Sequence, residues 1–353
     1  VARADVISLS NLMDKSLLRR TSDRRYEVLE VLRQYAEEQL LAISGEADAV
    51  RRRHMAHYLN LLQRMEAPLK GERKADSEAE ASIGQQAALK ILRRDFDNIQ
   101  GAWRWALDRG EFSAVAEAAV GLALFCEIKS RFREGETMFR RAAEALRDSV
   151  GESQPELLGL LLGLQGQFLY RFGSAHEGST ILERAVTLLS SSNAKASLAL
   201  IQVISAYIGL GLTQEEQERR LESSLQIYDL LGDTWGTALG QEALGEFLIQ
   251  RREHERAEAL LGQSLALRRG TGDAWGTAMT LHALGTNMIA QGKGAEAIDY
   301  LEESIAIRAE IGDVRGIAIS QGLMAMWFAH CGDLPKAQEL LEKSALGHQV
   351  FGD

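Results

Sequence analysis

The chain has 353 residues, only 3 of them proline, with 46% apolar and 6% aromatic side chains and a formal net charge of −10. So little proline beside abundant Leu, Ala, Glu and Arg excludes a collagen-like or disordered chain and argues against a β-sandwich or barrel, while the apolar fraction can bury a large core. The negative balance argues against general nucleic-acid binding, and the isolated Cys126 and Cys331 form neither a disulfide framework nor a zinc site, which points to a reducing, cytoplasmic compartment.

In chain order, the sequence opens at Val1 inside a patterned segment and reads as a piece of a longer protein. It has no leader pattern and no run near the ~18 apolar residues of a membrane span. Residues 6–18 place Ile7, Leu9, Leu12, Met13 and Leu17 at helical spacing. A two-stranded hairpin turning at Ser22-Asp23 is predicted next, with helix resuming at about Val31. Helix, hairpin, helix is the second half of a winged-helix domain, assigned to 1–43. Residues 44–110 are predicted to be a helical linker, with a polar surface loop or mobile connector near 66–84 that holds Pro68 and Gly71. His54 and His57 follow Arg51-Arg52-Arg53 without further ligands nearby, so a solvated or interdomain face is expected rather than a metal site. Cys126, among Leu122, Leu124, Phe125 and Ile128, is expected to be a buried structural thiol.

From residue 111 a repeat takes over. Gly-Asp pairs stand at 232-233, 272-273, 312-313 and 352-353, a constant period of 40. In step with them run Gly245, Gly285 and Ala325; Ala257, Ala297 and Ala337; Leu261, Leu301 and Leu341; and Ser264, Ser304 and Ser344. The spacing predicts helix A over about 234–250 and helix B over about 254–269. The small column lets the partner helix approach, Gly232 ends helix B in the left-handed conformation, and Asp233 caps the next helix. One hairpin cannot cover its own apolar faces, so the units are expected to stack into a solenoid of about six hairpins over 111–353.

These columns resemble the tetratricopeptide repeat, in a long-helix form with a Gly-Asp connector. The resemblance implies an all-α, right-handed superhelix whose concave groove binds a protein or peptide. Read in phase, the groove is expected to hold Gln202, Leu239, Glu242, Glu246, Ile249, Gln250, Met279, His282, Thr286, Ile289, Met326 and His330. Glu246, Thr286 and Met326 stand where a chaperone-type carboxylate clamp would place Asn, which disfavours that specialisation. Trp235 and Trp275, 40 apart, are read as packing on the inter-repeat ridge, or else as an exposed aromatic row for a partner.

The N-terminal third is similar to the junction between winged helix and helical arm in bacterial STAND ATPases, the signal-transduction NTPases related to NB-ARC and NLR-type switches. The matching residues are Leu12, Asp14, Lys15, Ser16, Leu17, Tyr26, Leu29, Glu30, Arg33, Tyr35 and Ala36, then Asp97, Asn98, Ala102, Trp105 and Ala106 of a linker helix. The resemblance implies a nucleotide-binding domain upstream, holding ATP or ADP and contacting this chain. No GxxxxGK[ST] run is present here. The chain itself is therefore expected to hold no cofactor or metal, to catalyse nothing and to leave DNA alone. It would act as a sensor arm that relays a ligand bound in its groove. The alternative is an inducer-binding regulatory arm of a transcriptional activator.

Overall fold

The computed structural model describes residues 6–21, 26–43, 45–72 and 83–349. Its first elements are α1 (Val6–Asp14), β1 (Arg19–Arg20), β2 (Tyr26–Glu27) and α2 (Glu30–Ala42). The strands pair antiparallel, Arg19 opposite Glu27 and Arg20 opposite Tyr26; the Ser22-Asp23 turn lies outside the described residues. Leu29, Val31 and Tyr35 are exposed.

Three helices then fill the stretch expected to be a linker, and keep that name: α3 (Glu46–Leu69), α4 (Gln85–Arg94) and α5 (Phe96–Asp108). Helix α3 runs further than the polar composition around Pro68 predicts. Its buried stripe of Leu62, Met65 and Leu69 continues past the proline and holds the last turn in the core. Only 73–82 of the expected loop falls outside the described residues. His54 meets Asn98 of α5 at 3.4 Å, so it stands half-buried between two helices of the same segment, not on a solvated or interdomain face.

Six helical hairpins follow: α6 (Phe112–Ile128) with α7 (Phe132–Val150), α8 (Pro155–Arg171) with α9 (Ala175–Ser190), α10 (Lys195–Ile208) with α11 (Gln214–Leu231), α12 (Thr234–Gln250) with α13 (His254–Thr271), α14 (Ala274–Ala290) with α15 (Gly294–Ile311), and α16 (Val314–His330) with α17 (Leu334–Gln349). They stack as a right-handed superhelix of tetratricopeptide type.

The repeat columns have physical counterparts. A Cβ added at Gly166, Gly245 or Gly285 would come within 2.8 Å of Leu182, Leu261 or Leu301 Cγ, so the small residue sets the distance between the helices of a pair. The serine column staples each pair: buried Ser264, Ser304 and Ser344 donate to the carbonyls of Ala238, Ala278 and Ala318 at 2.7–2.8 Å. At the connectors, Gly232, Gly272 and Gly312 have φ of +63°, +89° and +69° and end helix B. Asp233, Asp273 and Asp313 then accept from the N–H of Gly236, Gly276 and Gly316 at 2.8–2.9 Å, capping the next helix.

The main apolar core runs from α3 to α10 around Trp103, Phe125, Phe139 and Phe168, the last two stacked 5.8 Å apart. Cys126 is fully buried within it, and burial pushes its thiol pKa up. The later hairpins hold smaller apolar clusters, and a buried polar column runs beside them.

The superhelix also turns back on its own start. Gln85, at the first turn of α4, donates to Asp273 Oδ1 at 2.9 Å and to the Leu69 carbonyl at 2.6 Å, and accepts from the Trp275 N–H at 2.7 Å. Gln86 donates to the Glu310 carbonyl at 2.6 Å, and Lys129 to the Gly312 carbonyl at 2.9 Å. Lys70 lies over the Trp235 ring, 4.8 Å from its centroid. The tryptophan column is therefore packed, not an exposed row. Trp235 is buried under the linker, and Trp275 joins the linker to the interior of the superhelix.

Candidate functional site

Near this return contact a half-open cavity of about 300 Å³ lies inside the superhelix. Of the predicted groove residues, Glu246, Ile249 and Gln250 of α12 and Met279, His282 and Thr286 of α14 line it. They share the inward face because side chains three and four residues apart project together from a helix. Leu239 and Glu242 stand in an adjoining recess that Met279 shares.

The other four lie elsewhere. Gln202 is half-buried on α10 away from the cavity, and among the described residues its Oε1 finds no hydrogen-bond partner. Ile289 packs against the apolar cluster around Leu301 and Met324. Met326 is exposed on α16, and exposed His330 lies beside Trp327 with ring centroids 5.8 Å apart. The two α16 residues share the phase of the lining residues, but they stand further along α16 than Arg315 and Ile319, which do line the cavity.

Several lining residues escaped the sequence reading. Glu127 of α6 pairs with Arg171 of α8 at 2.6 Å and receives Gln167 at 3.1 Å. Arg315 of α16 stacks on Phe132 of α7, 5.0 Å from the ring centroid. Trp275, Tyr207 and Arg308 complete the wall. Half of these come from hairpins whose repeat phase is weak, and they meet the later hairpins only because the superhelix closes. Arg268 and Arg308 did carry a signal, since they recur 40 apart with Ser264 and Ser304.

The electrostatics are set by the buried polar column. Arg268, 2% exposed, donates to Glu242 at 3.0 Å and to Asp273 at 3.3 Å. Thr280 donates to the same Glu242 oxygen at 2.7 Å. Glu242 therefore serves this buried network rather than presenting a free carboxylate to the groove. Burial raises the pKa of both Glu242 and Asp273. Burial, with the Glu242 charge beside it, pushes the Glu246 carboxyl up to about 8, so it holds its proton at neutral pH. Burial and then the Arg308 charge press His282 down to about 4, so its ring is neutral. Among the described residues no cluster of three or more potential metal ligands exists. No helix among them is long and apolar enough to cross a membrane.

Fold and cavity together define a tetratricopeptide-type repeat protein. Residues 236–310 match the tetratricopeptide-repeat family model. Among solved structures the chain is similar to Rap protein complexed with Competence and Sporulation Factor, at 12% identity and a TM-score of 0.60, over 85% of this chain and 77% of that one. It is also similar to a STAND protein with a tetratricopeptide repeat sensor from Pyrococcus horikoshii, at 14% identity and a TM-score of 0.51. That match covers 99% of this chain but 56% of the Pyrococcus protein. A looser likeness, TM-score 0.47 at 21% identity, links it to BtubC of P. vanneervenii over 64% of this chain and 92% of that one. No curated protein matches it in sequence. At these identities the likeness is one of fold.

Proposed function

We propose that this chain is the non-catalytic sensor arm of a STAND-class signalling ATPase. It takes a peptide or protein segment into its groove and passes the event to a nucleotide-binding domain joined to its N-terminal end. One observation carries the reading. The Trp275 ring lines the cavity while its backbone N–H is held by Gln85 of the linker. A ligand in the cavity therefore touches the residue that ties the repeats to the N-terminal region. Occupancy can shift the linker only by as much as the ligand distinguishes the two arrangements.

Two observations support the rest. Leu29, Val31 and Tyr35 are exposed apolar side chains at the start of the helix that resembles the STAND junction, and another domain would cover them. Two similar solved structures are Rap protein complexed with Competence and Sporulation Factor and a STAND protein with a tetratricopeptide repeat sensor.

The test is capture from the host lysate with the chain as bait, beside a Thr286→Trp variant that fills the cavity and is checked for an unchanged thermal midpoint. A species held by the wild type and lost at least tenfold by the variant is the expected result. Capture indifferent to the blocked cavity would remove the groove as the binding site. ATP hydrolysis by this chain alone would end the non-catalytic reading.

A further inference from the structure

The 40-residue period lets one buried position be followed through three hairpins. At the helix A position it holds Gln202, then Glu242, then His282; at the facing helix B position it holds Tyr228, then Arg268, then Arg308. In the first hairpin both groups are neutral. In the second, Arg268 meets the Glu242 and Asp273 carboxylates at 3.0 and 3.3 Å. In the third, Arg308 keeps the connector carboxylate, Asp313 at 3.2 Å, and the staple, Ser304 at 3.1 Å. The second carboxylate is gone. Neutral His282 stands in its place and faces Ser320 at 3.1 Å, as Glu242 faces Thr280.

Arg308 is 3% exposed, and among the described residues its Nη2 reaches only the Met279 thioether sulphur, at 3.3 Å. A thioether is a weak acceptor, and a buried guanidinium nitrogen without a good acceptor is costly. The omission falls where the cavity lies: Arg308, Met279 and His282 all line it. Arg315 adds a second guanidinium to the same wall. The carboxylates of that wall do not supply what Arg308 lacks. Glu127 is engaged by Arg171 at 2.6 Å, Asp313 by Arg308 and the Gly316 N–H, and Glu246 holds its proton at neutral pH.

We propose that the cavity binds a carboxylate, which takes the place beside Arg308 that Glu242 fills beside Arg268. Met279, an adaptable side chain, moves off Nη2 as the carboxylate arrives, and the fork of Arg308 receives it as a charge-assisted pair. The cavity volume of about 300 Å³ admits one or two residues of a peptide or a small organic acid. The inference rests on the groove-binding reading and names the chemistry that groove selects.

The test is affinity selection on the purified chain from a pool of random N-acetylated tetrapeptides, made once as free acids and once as amides, with succinate as competitor. Retention from the free-acid pool alone identifies a terminal carboxylate, and retention of Asp- or Glu-containing members of the amide pool identifies a side chain. Displacement by succinate shows that the carboxylate suffices. His282→Glu supplies the missing group from within, so it is expected to lose retention at least tenfold while its thermal midpoint stays level or rises. If that variant fails to fold, Arg315→Gln on the cavity wall replaces it, with a severalfold loss expected. Retention of neutral amides, displaced by Thr286→Trp, would overturn the carboxylate and leave the groove reading standing. Acidic peptides held equally by His282→Glu, or no peptide held at all, would also overturn the inference. The groove reading itself answers to the lysate capture.

Discussion

Glu246 shows how one side chain can tie stability to pH. Folded, its carboxyl keeps its proton to about pH 8, against an ordinary value of 4.5. Between those values the folded state binds the extra proton, so stability falls as pH rises from about 4.5 to about 8 and then levels off. The slope from this one group is at most ~1.4 kcal/mol per pH unit. Glu246→Gln keeps the shape without the titration. It is expected to match the wild type near pH 4.5 and to exceed it in urea midpoint at pH 8. Parallel curves across that range would contradict the assignment. The sequence placed Glu246 in the groove, with Glu242 four residues before it on the same helix, but could not give its protonation, because that depends first on burial and also on Tyr207 of α10, which only packing brings near.

At the scale of the element, the connector aspartates look equivalent in sequence and are not equivalent in the fold. Asp233 caps α12 and is half-buried. Asp273 caps α14, pairs with Arg268 and receives Gln85, and is 1% exposed. Asp233→Ala is expected to cost ~1 kcal/mol, as a lost cap does. Asp273→Ala is expected to cost ~3 kcal/mol or more, because it also strips a buried guanidinium of a partner. Chemical denaturation of the two variants decides it, and equal losses would refute the difference. The caps, the left-handed glycines and the helix spans were legible because each depends on neighbours in sequence. The observed α12, Thr234–Gln250, falls on the expected 234–250. The length of α3 was not legible, since the stripe that carries it past Pro68 is stabilised by helices packed from elsewhere.

At the scale of the whole molecule, the solenoid was legible and its closure was not. Columns such as Gly245, Gly285 and Ala325 recur because every hairpin solves the same packing problem. The lock of Gln85 on Asp273 joins residues 188 apart, and no period encodes it. This is also why Glu127, Arg171 and Arg315 were missed: each lines the cavity from a hairpin that meets the others only after a full turn.

An open stack of repeats behaves as a one-dimensional chain, in which each unit feels only its neighbours and the ends fray first. The lock removes that independence. Linking residue 85 to residue 273 makes the intervening hairpins a closed circuit, so opening any one of them must break the lock or strain the others. The wild type is therefore expected to denature in urea as a single steep transition over these hairpins. In Gln85→Ala the transition should broaden or split, and amide protons of α14 and α15 should exchange faster than those of α8 and α9. An unchanged slope with unchanged exchange order would mean that the circuit adds nothing. Otherwise two hydrogen bonds from one glutamine side chain set the size of the cooperative unit.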